Sequence, residues 1–220
     1  MKRDVFSKLM IIAGVLLLLC AGAWTVRNCL LQEQAETASK SSLEALVTQI
    51  PTPVVREPAQ TPVTELEMTA IDRTEPLVVP DYLLNPSMNM PEQEVDDVAY
   101  IGYLELPALG LTLPVCSETT EWLLKLAPCR FSGSAYKNNL IIGAHNYTTH
   151  FGSLGTMKYG DAVTFTDVDG NVFQYEVIDF ETLQPNQSED LCAGDWDLTL
   201  YTCTFNIESR LVLRCAKLEQ

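Results

Sequence analysis

Alternation of apolar and other side chains dominates the second half of the chain. "YIGYLELP" (100–107) and "LGLTLPV" (109–115) alternate like half-buried strands, with Pro107 and Pro114 marking breaks. "NLIIGAH" (139–145) is a short apolar run that reads as a buried strand. "DAVTFTDVDGNVFQYEVID" (161–179) reads as a hairpin turning at Asp169–Gly170. "DLTLYTC" (197–203) and "RLVLRCAKL" (210–218) form a final strand pair. The best helix candidate is "TEWLLKLA" (120–127). About seven or eight short strands with one or two helices predict an all-β barrel or sandwich of about 120 residues, spanning 98–220.

The N-terminal pattern is different. "LMIIAGVLLLLCAGAWTV" (9–26) carries no charge and follows Lys2, Arg3 and Lys8. As a helix it rises about 27 Å, close to the thickness of a hydrocarbon core. The basic residues hold 1–8 in the cytoplasm, so the reading is a single-pass cell-membrane anchor over 9–26 with everything later outside. Trp24 then sits at the outer interface. A cleaved signal peptide is the alternative, since "AGA" (21–23) offers small residues for cleavage, but the apolar run is long for one. "LLLLC" also suggests lipoprotein processing at Cys20, against which Leu19 is bulky.

Between anchor and barrel, residues 27–97 read as a largely disordered extracellular spacer. Eight of the twelve prolines lie between Pro51 and Pro91, where they remove backbone donors and break helices and inner strands. Residues 33–99 carry a net charge of −10, which extends such a chain further. Two stretches stand out: "SSLEALVTQI" (41–50) as a short helix, and "LVVPDYLL" (77–84) as apolar enough to dock on the domain.

The formal net charge of −15 argues against nucleic-acid binding, because phosphates are repelled. Seven cysteines outside the cytoplasm ordinarily suggest disulfides, but the number is odd and no C-x-x-C occurs, which disfavours a redox protein. Cys116 and Cys129 flank the expected helix and are one candidate bridge. Cys215 reads as a small buried residue. "DVDGN" (167–171) reads as a turn rather than a calcium loop, so neither metal nor cofactor is expected.

The closing hairpin carries the chemistry. In "LTLYTC", Thr199, Tyr201 and Cys203 share one face; in "RLVLRC", Arg210, Val212 and Arg214 share one. Antiparallel pairing across the six intervening residues brings Cys203 and Arg210 to about 5 Å at Cα. A guanidinium beside a thiol favours the thiolate, or donates to an oxyanion formed when the thiolate attacks a carbonyl. A cysteine nucleophile also needs a proton-transfer partner, and the chain has two histidines. His145 emerges from a buried strand at a barrel rim. His150, in "NYTTHFGSL", reads as a solvated loop residue.

Taken together these motifs resemble the sortases, cell-wall transpeptidases of Gram-positive bacteria. "TLYTC" (199–203) fits the family's T-L-x-T-C signature, and "IIGAHN" (141–146) fits its catalytic-histidine strand, with Ala144 where Gly is common. Arg210 falls where the family's arginine opens the last strand, and "YIGYLELPALGLTLPV" (100–115) is similar to the first barrel strands. The resemblance implies a closed eight-stranded β-barrel with His145, Cys203 and Arg210 at one end. It implies Cys203 as nucleophile, His145 as general acid/base, Arg210 for substrate binding and oxyanion stabilisation, and Thr202 in substrate binding.

The implied partners are secreted proteins with a C-terminal Leu-Pro-x-Thr-Gly-like sorting signal, an amine acceptor from peptidoglycan precursor or another surface protein such as a pilin subunit, and the cell membrane. The eleven residues between "VIDFETLQP" and "DLTLYTC" are too few for the class B helical insertion. No Asp-Pro-aromatic lid of class C is present, so a short-loop class A or D type fits better. A cysteine hydrolase without transpeptidation, or a catalytically silent membrane-tethered barrel, are the alternatives.

Overall fold

The structure, a computed structural model, describes residues 2–52, 79–204 and 208–218. The middle of the expected spacer, 53–78, lies outside the described residues. Helix α1 (Lys2–Gln49) is followed by a short α2 (Asp81–Leu84) and then the sheet. Its strands are β1 (Gln93–Val95), β2 (Val98–Leu106), β3 (Leu111–Cys116), β4 (Cys129–Ser132), β5 (Leu140–Ala144), β6 (Ala162–Asp167), β7 (Val172–Leu183), β8 (Leu198–Cys203) and β9 (Arg210–Lys217). Helices α3 (Glu121–Leu126) and α4 (Ser188–Cys192) sit in connections.

Neighbouring strands run β1-β2-β3-β4-β5-β8-β9-β7-β6, and β2 pairs again with β6. That second pairing closes β2 through β9 into an eight-stranded barrel, with β1 as a flap hairpinned onto β2. The hairpin turns on Asp96 and Asp97, whose φ values of 49° and 62° are those of a tight primed turn. Inward-facing residues of the alternating strands, among them Ile101, Leu104, Phe165, Phe173, Leu200 and Leu213, fill the barrel. Thr120 caps α3 by accepting from the Leu123 N–H. In "DVDGN", Asp167 ties the turn together by accepting from the Asp169 and Asn171 N–H groups and from the Tyr136 hydroxyl at 2.7 Å. Tyr82 of α2 stacks on Tyr136 with ring centroids 4.7 Å apart, so "LVVPDYLL" docks where it is described.

The expected spacer over 27–97 is ordered at both ends. Helix α1 does not stop at the apolar segment but continues to Gln49, and β1 already opens at Gln93. From Met10 to Leu31 the apolar side chains of α1 are exposed, and this is the one helix among the described residues long and apolar enough to cross a membrane. Beyond it, Ala35, Ser39, Ser42 and Leu46 are buried against the barrel at spacings of four, three and four. The buried stripe is mostly Ala and Ser, which lets helix and sheet approach closely but gives no hydrophobic signal in the sequence.

Candidate functional site

Strands β8 and β9 pair antiparallel, and the last pair of their register is Cys203 with Arg210. Strand β5 runs parallel to β8 with Gly143 opposite Tyr201 and Ala144 opposite Thr202. One further residue along that register sets His145 beside Cys203. His145, Cys203 and Arg210 therefore stand in a row across three adjacent strands, at one end of the barrel and on its outer face. The same face carries Tyr201 and Val212, packed with Ile141 and Leu191 in a cluster separate from the barrel core.

Each member of the row is held locally. Gly143 has no side chain because the Tyr201 ring lies on it: a Cβ there would come within 2.3 Å of the ring. Tyr201 in turn lies beneath Arg210, whose Cζ is 5.6 Å from the ring centroid. Burial pushes the Tyr201 hydroxyl up to about 12, against a downward pull from Arg210. Just beyond Cys203, Thr204 and Ser209 clamp the closing loop: the Thr204 N–H donates to the Ser209 carbonyl at 2.8 Å, and the two hydroxyls are 3.0 Å apart. Asn146 donates to the Thr204 carbonyl at 3.4 Å, tying the histidine loop to the cysteine strand.

Cys203 is half-buried, and it and all the other cysteines are free. Cys116 and Cys129 are cross-strand partners but unbridged; Cys129 beside the Cys116 thiol, together with burial, raises the Cys116 pKa. His145 has its pKa lowered by burial and by Lys125, so at neutral pH its imidazole is mainly uncharged and able to take a proton. Its Nε2 and the Arg210 Nη1 are both buried without a hydrogen-bond partner. An acyl substrate with a developing oxyanion would supply what they lack.

Two residues behave differently from their sequence reading. Thr202 is 4% exposed, and its hydroxyl donates to the Ala144 carbonyl at 2.9 Å. It therefore locks β5 to β8 just below His145 and Cys203, with its side chain away from their face. His150 is fully buried, not solvated: its loop folds back so that Phe151 and Leu154 enter the core. Tyr147 lies between the two imidazoles, with ring centroids 5.0 Å from His145 and 5.5 Å from His150. Burial and His145 push the His150 pKa down to about 4, against a smaller upward pull from the Leu126 backbone.

Arg214, which shares a face with Arg210, is buried in the middle of the strand. Its guanidinium donates to Glu181 Oε2, the Leu191 and Asp190 carbonyls and the Thr199 hydroxyl at 2.8–3.2 Å. All five of its N–H donors are thereby occupied. The arginine available at the thiol is Arg210. Among the described residues no three His, Cys, Asp or Glu side chains gather as a metal site.

Comparison with known proteins agrees with this architecture. Residues 104–218 match the sortase domain, and the chain belongs to the sortase family. It is thus a cysteine transpeptidase. Sortase C of Streptococcus pneumoniae, whose structure addresses catalysis and pilin substrate specificity, is 28% identical with a TM-score of 0.51, over 58% of this chain and 72% of that one. Sortase C1 of Streptococcus agalactiae is 22% identical with a TM-score of 0.52, over 66% and 79%. A pilus-related sortase C of group B Streptococcus is 24% identical with a TM-score of 0.50, over 57% and 70%. These three are sortase C enzymes. No curated protein matches the sequence.

Proposed function

We propose that the protein is a membrane-anchored sortase that cleaves a Leu-Pro-x-Thr-Gly-like sorting signal between Thr and Gly and passes the acyl part to an amine. The observation that carries this reading is the row His145–Cys203–Arg210, set by the β5–β8 and β8–β9 registers. The Cys203 thiol loses its proton to the uncharged His145 imidazole and attacks the Thr carbonyl carbon. The oxyanion that forms accepts hydrogen bonds from Arg210, including its unpartnered Nη1. Collapse breaks the Thr–Gly bond, and the departing Gly amine takes the proton from His145. The thioacyl enzyme is then attacked by an amine of a peptidoglycan precursor or a surface protein such as a pilin subunit. His145 takes that amine's proton and passes it to the departing Cys203 sulfur, which restores the thiol and the uncharged imidazole. Thr202 contributes by keeping β5 and β8 in register.

The apolar part of α1 anchors the chain in the cell membrane, with the barrel outside. Transpeptidation and hydrolysis share every step to the thioacyl enzyme and differ only in the acceptor. Intact-mass analysis of the full chain in detergent, with Leu-Pro-x-Thr-Gly peptides and a panel of amines, tests the reading. A Cys203-dependent acyl adduct and an amine-ligated product are expected, both absent in Cys203→Ala. Adduct formation that survives Cys203→Ala overturns the mechanism; release of free acid alone reassigns the protein as a hydrolase.

A further inference from the structure

Helix α1 fixes where the reactive end of the barrel sits relative to the bilayer. Val26 is the last residue of the uncharged run, and Gln32 follows six residues later, about 9 Å along the helix. Gln32 Oε1 accepts from the Thr148 hydroxyl at 3.1 Å, three residues past His145. A little further along, Glu36, Ser39 and Lys40 face Thr149 and the start of β3 across a cavity of about 220 Å³. Only then come Leu46, packed with Val95 and Tyr100, and Gln49, which accepts from Gln93 at 2.8 Å. Pro51 reaches the β6–β7 turn: a Cβ on Gly170 would lie 2.9 Å from its carbonyl oxygen.

The order of these contacts gives a direction. Moving away from the membrane, α1 meets first the barrel end where β5 finishes and β3 begins, and last the turn that joins β6 to β7. Strand β8 runs parallel to β5 and β9 antiparallel to β8, so Cys203 and Arg210 lie at the first of these ends. The buried stripe Ala35, Ser39, Ser42, Leu46 holds the helix against the barrel over three turns.

We infer that α1 clamps the barrel with its His145–Cys203–Arg210 end turned toward the outer bilayer surface, about 10 Å above it. The partner of this end is the membrane surface. The turnover readout below rests on the proposed function; the orientation does not.

The test uses the full chain in vesicles of phosphatidylglycerol and phosphatidylethanolamine. A photo-crosslinking phenylalanine replaces Gln32, and adducts are mapped by mass spectrometry. Intrachain adducts within 145–152 are expected; adducts to lipid alone, or none, overturn the docked orientation. In a second arm, seven alanines inserted between Arg27 and Asn28 lift the barrel by about two turns while keeping the helical phase. Turnover of a peptide carrying the sorting sequence and an apolar anchor is expected to fall at least tenfold, because the effective concentration of a tethered substrate drops when the span no longer matches. Turnover of the same sequence as a soluble peptide stays unchanged. Equal turnover of the anchored peptide by the lengthened and natural-length chains overturns the membrane-facing site. If the natural-length chain turns over neither peptide, the proposed function fails, while the crosslinks still decide the orientation.

Discussion

Arg210 faces Cys203 as the final pair of the β8–β9 ladder, and it does so lying over the ring of Tyr201, two residues back along the cysteine's own strand. Arg214, four residues further along β9, makes no use of that face's open end. It is enclosed by α4, Trp196 and Glu181, with Trp196 stacked 5.5 Å from its guanidinium. One strand thus carries two arginines of the same parity with opposite tasks. The first keeps a donor unpartnered at the thiol; the second spends every donor on β7, β8 and the connection between them.

This division predicts opposite phenotypes. Arg210→Ala should lower the rate of thioacyl formation by about 100-fold or more, as loss of one oxyanion donor does, while changing stability by less than about 0.5 kcal/mol. Arg214→Ala should destabilise the fold by about 3 kcal/mol, at the lower end for a broken buried pair because Glu181 is partly exposed. Single-turnover acylation measured beside urea unfolding separates the two. A stable, fully active Arg214→Ala protein contradicts the structural assignment.

His150 makes the barrel acid-sensitive. Its folded pKa of about 4 lies below the 6.5 of the free side chain, so the unfolded chain binds the extra proton first. Stability from this group is complete above pH 6.5 and is lost as pH falls toward 4. The full gap is worth about 3 kcal/mol. Burial lowers the His145 pKa in the same direction. Urea unfolding at pH 7 and pH 4.5 should show a smaller pH-dependent loss in His150→Phe than in the natural chain. An identical loss in both proteins shows that His150 does not titrate on unfolding.

The barrel strands are legible in the sequence because alternation is local: "TLYTC" and "RLVLRC" announce both their faces and their pairing. The row of His145, Cys203 and Arg210 follows from that pairing plus one parallel register. What stays hidden depends on contacts between distant segments. Nothing periodic in "NYTTHFGSL" reveals that Phe151 and Leu154 pull the loop inward and bury His150. Arg214 looks equivalent to Arg210 because strand parity says which face a residue is on, not what covers it. In the docked half of α1, "SSLEALVTQI" (41–50) is legible as a helix, but its contact with the barrel is not, because the stripe Ala35, Ser39, Ser42 and Leu46 is mostly small residues that resemble a solvated face when seen alone.

Gly143 couples the histidine strand to the arginine through a single ring. A Cβ at this position would stand 2.3 Å from Tyr201 Cζ and 2.5 Å from its hydroxyl oxygen. The ring has little freedom to yield, since Phe131 meets it edge-on at 5.7 Å and Arg210 lies on the other side. Gly143→Ala should therefore cost about 1–3 kcal/mol of stability, the usual range for overpacking, and slow acylation by displacing the platform under Arg210. Tyr201→Ala removes the obstacle, so the double variant Gly143→Ala/Tyr201→Ala should be more stable than the sum of the single losses, by about 1 kcal/mol or more. Its acylation should stay slow, because Arg210 still lacks its ring. A double-mutant cycle read by urea unfolding and by single-turnover acylation measures both effects; simple additivity in stability would mean that the ring and Gly143 do not compete for the same space.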